Sequence, residues 1–409
     1  MTDTEAATPV GSDPHADIRI ERISAIADLD AVRDLWDGFV VDSGSDIYFT
    51  VDWIQAWWAH YGRGRQLECL IVRDDTGIVA VLPFCVHRVW AGPVPVRLAR
   101  LVGSDSTLPV FTPAVATGRE QAVFGAVLVW LLDEAACDVV SLSPLSGESP
   151  VADAVERAAE GNRFSLVRSD STGPHTVFRF PGSFEEYLAS LSKSQRQNHR
   201  RYLRQLEKKH EIEFRTVSGE EAVGYFDRFL EIHAAHWEAN GKLGHFGDWP
   251  GSAEFNRDLI ARMAADGRAR FYEISGDGRP LAIEFSFVLG ERCFWRLPGR
   301  DPDPELEKLR LGRLSLAEMF RFVIGDGQTM VEAGPGHYDY KVRLGAEEHP
   351  LRRVVVSRES SLARARARLL LRWADLLNLV YYRGWFLKLA PRLGRSPRPL
   401  WRPWIRTRL

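Results

Sequence analysis

The chain has 409 residues, of which 45% are hydrophobic and 26% are charged. This length predicts two or three domains, and the composition is typical of a soluble globular protein rather than a disordered or membrane-embedded one. The net charge is −2, but residues 351–409 hold 15 Arg and Lys against two acidic residues. An acidic body with a basic tail predicts that the tail meets an anionic partner, which is either a membrane surface or nucleic acid.

Cysteine spacing and apolar runs exclude further classes. The four cysteines lie far apart, at Cys69, Cys85, Cys137 and Cys293. They form neither a CxxC pair nor a zinc-ligand spacing, so we expect no disulfide framework and no metal. Residues 1–16 are polar, lack the apolar core of a signal peptide and predict a disordered head. The longest apolar run, 122–132, is too short to span a bilayer, and we expect a cytoplasmic protein.

In chain order, the first half alternates strands and helices. Periodicity and turn residues predict a strand, two amphipathic helices, a three-stranded meander, a helix and a strand. These elements are predicted at 17–23, 27–43, 51–62, 67–75, 77–92, 96–104, 120–135 and 137–145.

The second half is predicted to begin near Phe180, after the polar segment 167–175. Its first helix covers 183–210, with Ser183 as N-cap and Glu186 as its capping-box partner. A strand, two helices, a meander, a helix and two strands follow, at 211–217, 219–241, 252–267, 268–299, 311–327, 329–336 and 350–358. Because both halves repeat one order, we predict an α+β fold of two similar modules. Each module has a mixed, mainly antiparallel central sheet flanked by helices.

The predicted domains are the head at 1–16, a first module at 17–172, a second, catalytic module at 173–357 and a tail at 358–409. The tail is helical, basic and amphipathic, with Leu, Trp, Tyr and Phe among its arginines. Arg383 and Lys388 interrupt its apolar stretches, so it cannot span a membrane. It either lies on an anionic leaflet or packs on the body of the protein.

The start of the helix 311–327 is the first candidate site. Free backbone N–H groups and the positive end of a helix dipole bind phosphate or pyrophosphate. Gly312 permits close approach of the backbone, and Arg310 and Arg313 add positive charge. The alternative is that Gly312 only eases a tight entry from loop to helix.

The segment 331–345, VEAGPGHYDYKVRLG, crowds polar residues around a Gly-Pro-Gly turn. Glu332 and Lys341 either take part in catalysis or form a structural ion pair. Tyr340 either faces a site or caps the sheet edge as a half-buried aromatic residue.

The stretch 193–210 carries seven Lys or Arg and one acidic residue, Glu207. This positive surface either attracts an anionic acceptor, a lipid head group or tRNA, or it is a solvated helix face.

Several segments taken together resemble one known family. They are SFEEYLASLSKSQRQNHRRYLRQLEK, FLEIHAAHW, GRPLAIEFSFVLGERCFWRLPGRDP, LGRLSLAEMFRF and VEAGPGHYDYKVRLG. In this order they resemble the BioF2-like acyltransferases, also described as cellulose-biosynthesis-type GNAT acetyltransferases and related to the double-GNAT Fem aminoacyltransferases. The resemblance covers about 30–350 and implies tandem GNAT-like domains. The best-matching parts are Gly334-Pro335-Gly336 with Tyr340-Lys341, Gly299-Arg300-Asp301-Pro302, and His233 with Trp237.

The resemblance implies acetyl-CoA as the donor, used as a co-substrate without a metal. Backbone N–H groups near Trp295, Arg296 and Leu297 would polarise the acyl carbonyl. Arg310, Gly312 and Arg313 would bind the donor's phosphates.

The resemblance also implies that the acceptor is an amine or hydroxyl group of an envelope or polysaccharide precursor, at the cytoplasmic face of the membrane. Glu332 or Asp301 would act as the base, and Tyr338, Tyr340 or Lys341 would serve the leaving thiolate. His233 and Trp237 either contact the substrate or form a core pair on one helix face.

Three departures keep other functions open. Arg310-Leu311-Gly312 replaces the family's Ser-Pro-Gly, Glu332 replaces an Asp, and Leu309 stands where standard GNAT enzymes have Arg or Gln. One alternative is a Fem-like enzyme that uses aminoacyl-tRNA. Another is a non-catalytic binding protein that has kept the fold.

Overall fold

One twisted sheet contains all the strands of the described residues. The computed structural model describes residues 18–104, 109–160, 164–249 and 251–393. The strands are β1 (Arg19–Ile23), β2 (Gln66–Asp74), β3 (Gly77–Ala91), β4 (Val94–Leu101), β5 (Ala114–Val115), β6 (Val139–Ser146), β7 (Phe164–Arg179), β8 (Ile212–Val217), β9 (Ala269–Gly276), β10 (Arg279–Leu289), β11 (Arg292–Arg300), β12 (Met330–Pro335) and β13 (Glu347–Arg358). Their order is β1-β2-β3-β4-β6-β13-β7-β12-β11-β10-β9-β8, with β5 paired to β3.

Helices cover both faces of this sheet. They are α1 (Arg33–Asp42), α2 (Val51–Tyr61), α3 (Glu120–Val129), α4 (Val151–Ala159), α5 (Phe184–Ser190), α6 (Lys193–Glu207), α7 (Glu220–Ala239), α8 (Gly244–Asp248), α9 (Ser252–Arg262), α10 (Pro304–Lys308), α11 (Leu311–Gly325), α12 (Asp339–Arg343), α13 (Ser361–Leu377) and α14 (Ala390–Arg392). On β13, Val354 and Val356 pack into one apolar cluster and Val355 into another. Burial on both faces explains why such strands read as continuous apolar runs.

The predicted helix 183–210 is two helices. Ser183 accepts the Glu186 N–H at 3.2 Å, which confirms the predicted N-cap. The first helix, α5, ends at Ser190, and α6 begins at Lys193. Ser192 is the N-cap of this second helix, because its hydroxyl accepts the Gln195 N–H at 3.3 Å. A new helix therefore begins at a point where one continuous helix was expected.

The polar segment 167–175, after which the second half was predicted to begin, forms part of strand β7. β7 pairs antiparallel with β13 from Phe164 to Val177 and with β12 from His175 to Arg179. These backbone hydrogen bonds do not depend on side-chain polarity, which is why composition misled the prediction. The proposed domain boundary at 172/173 falls inside this strand.

The two halves each contain one parallel strand pair. In the second half, β11 and β12 pair from Arg292↔Met330 to Phe294↔Glu332, after which β11 continues to Arg300 without β12. We call the gap beyond Phe294 and Glu332 the wedge. In the first half, β4 pairs with β6 as far as Arg100↔Ser141, and Phe111 then pairs with Leu145. The chain itself therefore fills the gap of the first half.

The tail begins as part of the folded body. Ala367, Leu370 and Leu371 of α13 are buried in a cluster with sheet residues that include Leu98 and Val355. A wider, π-type helix, Asn378–Leu389, then continues the chain with more exposed side chains. In the part of the chain that the structure describes, no helix combines the length and the apolar character needed to cross a membrane.

Leu370 and Leu369 provide a matched test of this packing. Leu370 is 0% exposed and Leu369 is 40% exposed. We expect Leu370→Ala to lower the free energy of unfolding by about 2–5 kcal/mol, because it leaves a cavity against the sheet. Leu369→Ala should cost less than about 1 kcal/mol. Urea unfolding measures both, and equal effects would contradict the packing of α13.

Candidate active site

The side chain of Lys341 occupies the wedge. Its Nζ atom donates to the Ala333 carbonyl on β12 at 2.6 Å and lies 5.1 Å from the ring centre of Trp295 on β11. The Tyr338 ring centre lies 4.6 Å from the same atom. Burial disfavours the ammonium form and lowers the pKa of Lys341 to about 8, although the nearby Glu332 carboxylate opposes the shift. A primary amine that titrates near neutral pH therefore lies between the parted strands.

Glu332 lies at the base of the wedge, in the last backbone pair with Phe294. One carboxylate oxygen accepts the Gly334 N–H at 2.9 Å, and the other lies 3.4 Å from Nδ1 of His175. Glu332 and Lys341 therefore have different close partners and attract each other at longer range. The structure brings these two predicted residues together without a direct contact between them.

A second buried carboxylate, Glu284, lies beside Trp295. Its oxygens accept hydrogen bonds from Trp295 Nε1 at 2.8 Å and from Ser315 Oγ at 2.5 Å. Burial raises the pKa of Glu284, and the positive charge of Arg300 opposes this. Sequence reasoning missed Glu284, although an acidic residue inside the apolar stretch LAIEFSF was an available signal.

The predicted anion site at the start of α11 borders a cavity of about 490 Å³, within the size range of small-molecule sites. Arg310 precedes the helix in the left-handed conformation, at φ +53°. A Cβ atom on Gly312 would come within 2.2 Å of Cζ of Arg300. The Arg300 guanidinium therefore packs directly over the first turn of α11, where only glycine leaves room for it.

A second cavity adjoins the first, because both are lined by Arg310, Arg313 and Tyr340. Arg343 and Tyr338 from the α12 region and Tyr202 from α6 also line it. Among the described residues, the arginines at 300, 310, 313 and 343 have no carboxylate within salt-bridge distance. Because these arginines form no ion pair there, their positive charge favours binding of an anion such as a phosphate. Arg300 had not been predicted as a site residue.

Asp301, by contrast, already has a cationic partner. It lines the first cavity, and its carboxylate accepts from Arg279 at 2.5 Å and from the Asp303 N–H at 2.9 Å. Its position at the cavity wall makes it the most accessible of the predicted carboxylates. Its pairing with Arg279 reduces its availability as a base.

His233 is held within the core. Its Nδ1 lies 2.8 Å from the Pro298 carbonyl, and its Nε2 accepts the His245 N–H at 3.3 Å. Burial lowers the pKa of His233 to about 4, so the ring is neutral at pH 7. The Trp237 ring lies 6.1 Å away, centre to centre, on the same helix face. This geometry favours the core-pair interpretation of His233 and Trp237 over substrate contact.

The first half supports β11 through Arg296. This buried guanidinium lies 5.5 Å from the ring centre of Tyr48 and 5.2 Å from that of Trp53, and it is 3.3 Å from the Tyr48 hydroxyl. Trp295 instead belongs to the apolar cluster that contains Val331 and Ala333, whereas Leu297 belongs to the cluster that contains Phe294. The first half thus buttresses the strand that borders the wedge.

A family model described as "Acetyltransferase (GNAT) domain" matches residues 193–342. This region contains α6, the wedge, Lys341 and all the residues that line the two cavities except Arg343. Residues 193–342 are therefore similar in sequence to a GNAT acetyltransferase domain. The protein is accordingly a GNAT-type N-acyltransferase, and the prediction of an α+β fold with tandem GNAT-like modules is confirmed.

Solved structures align with this chain at low sequence identity, and those with a TM-score of 0.50 or more share its fold. FemX is 10% identical with a TM-score of 0.60, over 82% of this chain and 96% of FemX. A conserved protein of unknown function from Bacteroides thetaiotaomicron VPI-5482 is 14% identical with a TM-score of 0.50, over 84% and 100%. L-PGS from Bacillus licheniformis is 13% identical with a TM-score of 0.49, over 83% and 96%. No curated protein sequence matches the chain.

The depressed pKa of Lys341 in this acyltransferase has a measurable effect on stability. The unfolded chain binds the Lys341 proton with a pKa near 10.5, whereas the folded protein binds it with a pKa of about 8. The unfolded state therefore holds more protons between these values, and stability rises with pH there. The shift corresponds to about 3 kcal/mol.

We expect the stability of the wild type relative to Lys341→Met to increase by about this amount from pH 8 to pH 10.5. Urea unfolding of both proteins across this range measures the difference, and other titrating groups cancel because they are common to both. A difference that stays constant would show that Lys341 keeps an ordinary pKa when folded.

Proposed function

We propose that the protein transfers an acyl group, acetyl in the first instance, from acyl-CoA to an amine or hydroxyl of an envelope or polysaccharide precursor. The supporting observation is the arginine-lined cavity at the start of α11, which lies next to Tyr340 and the segment that enters the wedge. This proposal keeps the BioF2-like specificity that the sequence resemblance implies.

The donor's phosphates match the first turn of α11. The Arg313 N–H already donates to the Arg310 carbonyl at 2.8 Å, so the donors left for a phosphate in this turn are the N–H groups of Leu311 and Gly312. The side chains of Arg310 and Arg313 lie beside them. The Arg300 guanidinium over Gly312 adds a third positive group, and one of its buried nitrogens, Nε, has no hydrogen-bond partner in the described structure. A pyrophosphate would supply the acceptor atoms that these donors lack. This set replaces the missing Ser-Pro-Gly of the family pattern.

The acyl transfer requires a base and an acid. In the proposed reaction, Glu332 removes a proton from the acceptor nitrogen or oxygen as this atom attacks the thioester carbonyl. The carbon–sulfur bond then breaks, and protonated Lys341 gives its proton to the leaving thiolate. Backbone N–H groups at Trp295 and Leu297, on the strand that borders the wedge, would stabilise the negative oxygen formed on attack.

Access to Glu332 requires movement of the α12 region. Glu332 and Lys341 are 4% and 3% exposed, whereas Tyr340 lines the cavities. Displacement of Tyr338, Tyr340 and Lys341 from the wedge would open a path from the cavities to Glu332. The return of these side chains over the reacting groups would then exclude water from the thioester. Asp301 at the cavity wall is the alternative base.

Gly312→Ala tests donor binding, with Gly325→Ala at the other end of α11 as its control. The added Cβ would displace Arg300 in the first variant, but it meets nothing within 4 Å in the second. Loss of one charge-assisted phosphate contact should weaken binding about 10-fold or more. We expect Gly312→Ala to weaken acetyl-CoA binding by this factor in isothermal titration, and Gly325→Ala to bind as the wild type does.

Two results would contradict the proposed donor. One is failure of the wild type to bind acetyl-CoA at millimolar concentration, and the other is equal binding of acetyl-CoA by both glycine variants. Binding of charged tRNA in place of acetyl-CoA, with a steep dependence on salt, would instead support the aminoacyltransferase alternative. Retained binding without any thiol release would support the non-catalytic alternative.

One surface favours the aminoacyl-tRNA alternative as a second candidate. Arg200, Arg201, Arg204 and Lys208 of α6 are exposed, and none has a carboxylate within salt-bridge distance among the described residues. The same helix supplies Asn198 and Tyr202 to the second cavity. A positive helix face that leads to the cavity suits a polyanion such as the acceptor stem of a tRNA.

We further propose that the protein is cytoplasmic and binds the inner face of the cell membrane through its tail. The segment after α13 exposes apolar side chains, among them Leu379, Val380 and Leu387 at 54–60% exposure. Exposed basic residues accompany them, namely Arg372, Arg383, Lys388 and Arg392. Apolar groups flanked by cations bind an anionic lipid surface without crossing it.

Vesicle sedimentation tests the tail, and Leu362 provides a control of equal exposure. Leu379 is 60% exposed and Leu362 is 61% exposed, but Leu362 lies at the start of α13. We expect Leu379→Asp with Leu387→Asp to weaken binding to phosphatidylglycerol vesicles about 10-fold or more, since each leucine loses its apolar burial. Leu362→Asp should leave sedimentation unchanged. Equal binding of all three proteins would contradict a membrane role for this segment.

A further inference from the structure

Three side chains from separate parts of the chain form a buried row that ends at Glu332. Ser146 closes β6, His175 lies in β7, and Glu332 lies in β12. Ser146 Oγ is 3.2 Å from His175 Nε2, and His175 Nδ1 is 3.4 Å from Glu332 Oε2. All three residues are at most 4% exposed. This order of groups is that of a serine–histidine–carboxylate relay.

The hydrogen-bonding capacities of the row determine which nitrogen of His175 carries the proton. A carboxylate accepts only, so a hydrogen bond from the neutral His175 ring to Glu332 requires that Nδ1 carry the proton. Nε2 is then the acceptor and receives the Ser146 hydroxyl hydrogen. The Ser146 oxygen in turn accepts the Glu148 N–H at 3.2 Å. Each atom in the row therefore has one consistent role.

Burial argues against Ser146 as a nucleophile. Ser146 is 3% exposed, and its backbone N–H is fixed to the Phe111 carbonyl at 2.8 Å. It lies at the end of the first half's own parallel strand, where Phe111 and Leu145 fill the space between strands. Because Ser146 is enclosed in this way and its backbone is fixed, it is better placed to support the residue at the other end of the row.

We propose that His175, oriented by Ser146, is a positioning residue that fixes the carboxylate of Glu332 for proton removal. The Gly334 N–H already fixes one carboxylate oxygen at 2.9 Å. His175 Nδ1 faces the other oxygen at 3.4 Å and has no hydrogen-bond partner in the described structure, so a small shift of the ring would bring its N–H onto that oxygen and hold both oxygens in one orientation toward the wedge. The distance of 3.4 Å from Nδ1 is long for a hydrogen bond, and such contacts shorten when substrate is bound.

This proposal rests on the proposed role of Glu332 and assigns a task to the first half of the protein. Ser146 belongs to the first half, whereas Glu332 belongs to the acetyltransferase domain. The row crosses from β6 to β7 to β12, with β13 between β6 and β7. The first half therefore contributes to the orientation of the base as well as to the support of β11.

Ser146→Ala is the central variant, and Ser141→Ala is its matched control. Ser141 lies on the same strand, is 1% exposed, and its Oγ has no hydrogen-bond partner in the described structure. The rate of thiol release from acetyl-CoA, with glucosamine or water as the acceptor, is measured against pH for the full chain. We expect Ser146→Ala to lower kcat about 10-fold with an unchanged KM for acetyl-CoA, because a misdirected base slows chemistry and not binding. Ser141→Ala should match the wild type.

Two substitutions of His175 separate positioning from packing. The amide nitrogen of an asparagine can take the position of Nδ1 and keep a donor toward Glu332. The amide nitrogen of a glutamine takes the position of Nε2 instead. We expect His175→Asn to retain more activity than His175→Gln, although both change the same buried position. A purely structural role for His175 predicts equal losses, and this result would overturn the proposal.

A spectroscopic measurement tests the row without any acceptor. In the wild type with ¹⁵N-labelled histidine, the His175 signals should show a protonated Nδ1 and an unprotonated Nε2, and Glu332→Gln should change the Nδ1 signal. A proton on Nε2 in the wild type would overturn the proposal. So would labelling of Ser146 by a serine-directed fluorophosphonate, because it would show that Ser146 is a nucleophile.

Glu332→Gln separates the failure of this proposal from the failure of the proposed function. Full activity of Glu332→Gln would remove Glu332 as the base, and the positioning role of His175 would fall with it. An inactive Glu332→Gln together with unaffected Ser146→Ala and His175→Gln would overturn the positioning role alone and leave the base in place.

Discussion

The backbone hydrogen bonds of β7 hold the molecule and its site together. This strand pairs with β13 on one side and with β12 on the other, and β13 in turn pairs with β6. β13 comes from the end of the second half but lies among the strands of the first. The halves cannot separate without breaking the centre of the sheet, and the loss of so many backbone hydrogen bonds is costly.

The two halves share this arrangement but differ in whether the gap between their parallel strands is open to a ligand. In each half, two parallel strands pair at first and then diverge, which leaves a gap between them. Phe111 fills this gap in the first half, and the side chain of Lys341 occupies it in the second. A gap filled by backbone is closed to ligands, because strand hydrogen bonds already occupy its edges. A gap filled by one side chain of a short helix can open when that side chain moves.

The charged residues around the site fall into a buried group and an exposed group. Carboxylates such as Glu284 and Glu332 are enclosed with fixed hydrogen-bond donors, while unpaired arginines such as Arg310 line the open cavity. An anionic donor would meet positive charge first and the buried groups afterwards. Burial also lowers the pKa of Lys341 toward neutrality, where a proton can be given or taken.

Sequence periodicity and turn residues determined most elements and their order, because amphipathic patterns and capping residues act over a few neighbours. The start of α11 at Leu311 and the Ser183 cap are examples. Local patterns also indicated the helix N-terminus with Arg310, Gly312 and Arg313, and the Tyr340-Lys341 segment.

Only the tertiary structure showed that residues 167–175 form part of a central strand and that Ser146, His175 and Glu332 lie next to one another. It also placed Lys341 between β11 and β12 and Arg300 over Gly312. These features depend on which strands become neighbours across long stretches of chain. That choice follows from packing of the whole sheet, and no local pattern records it.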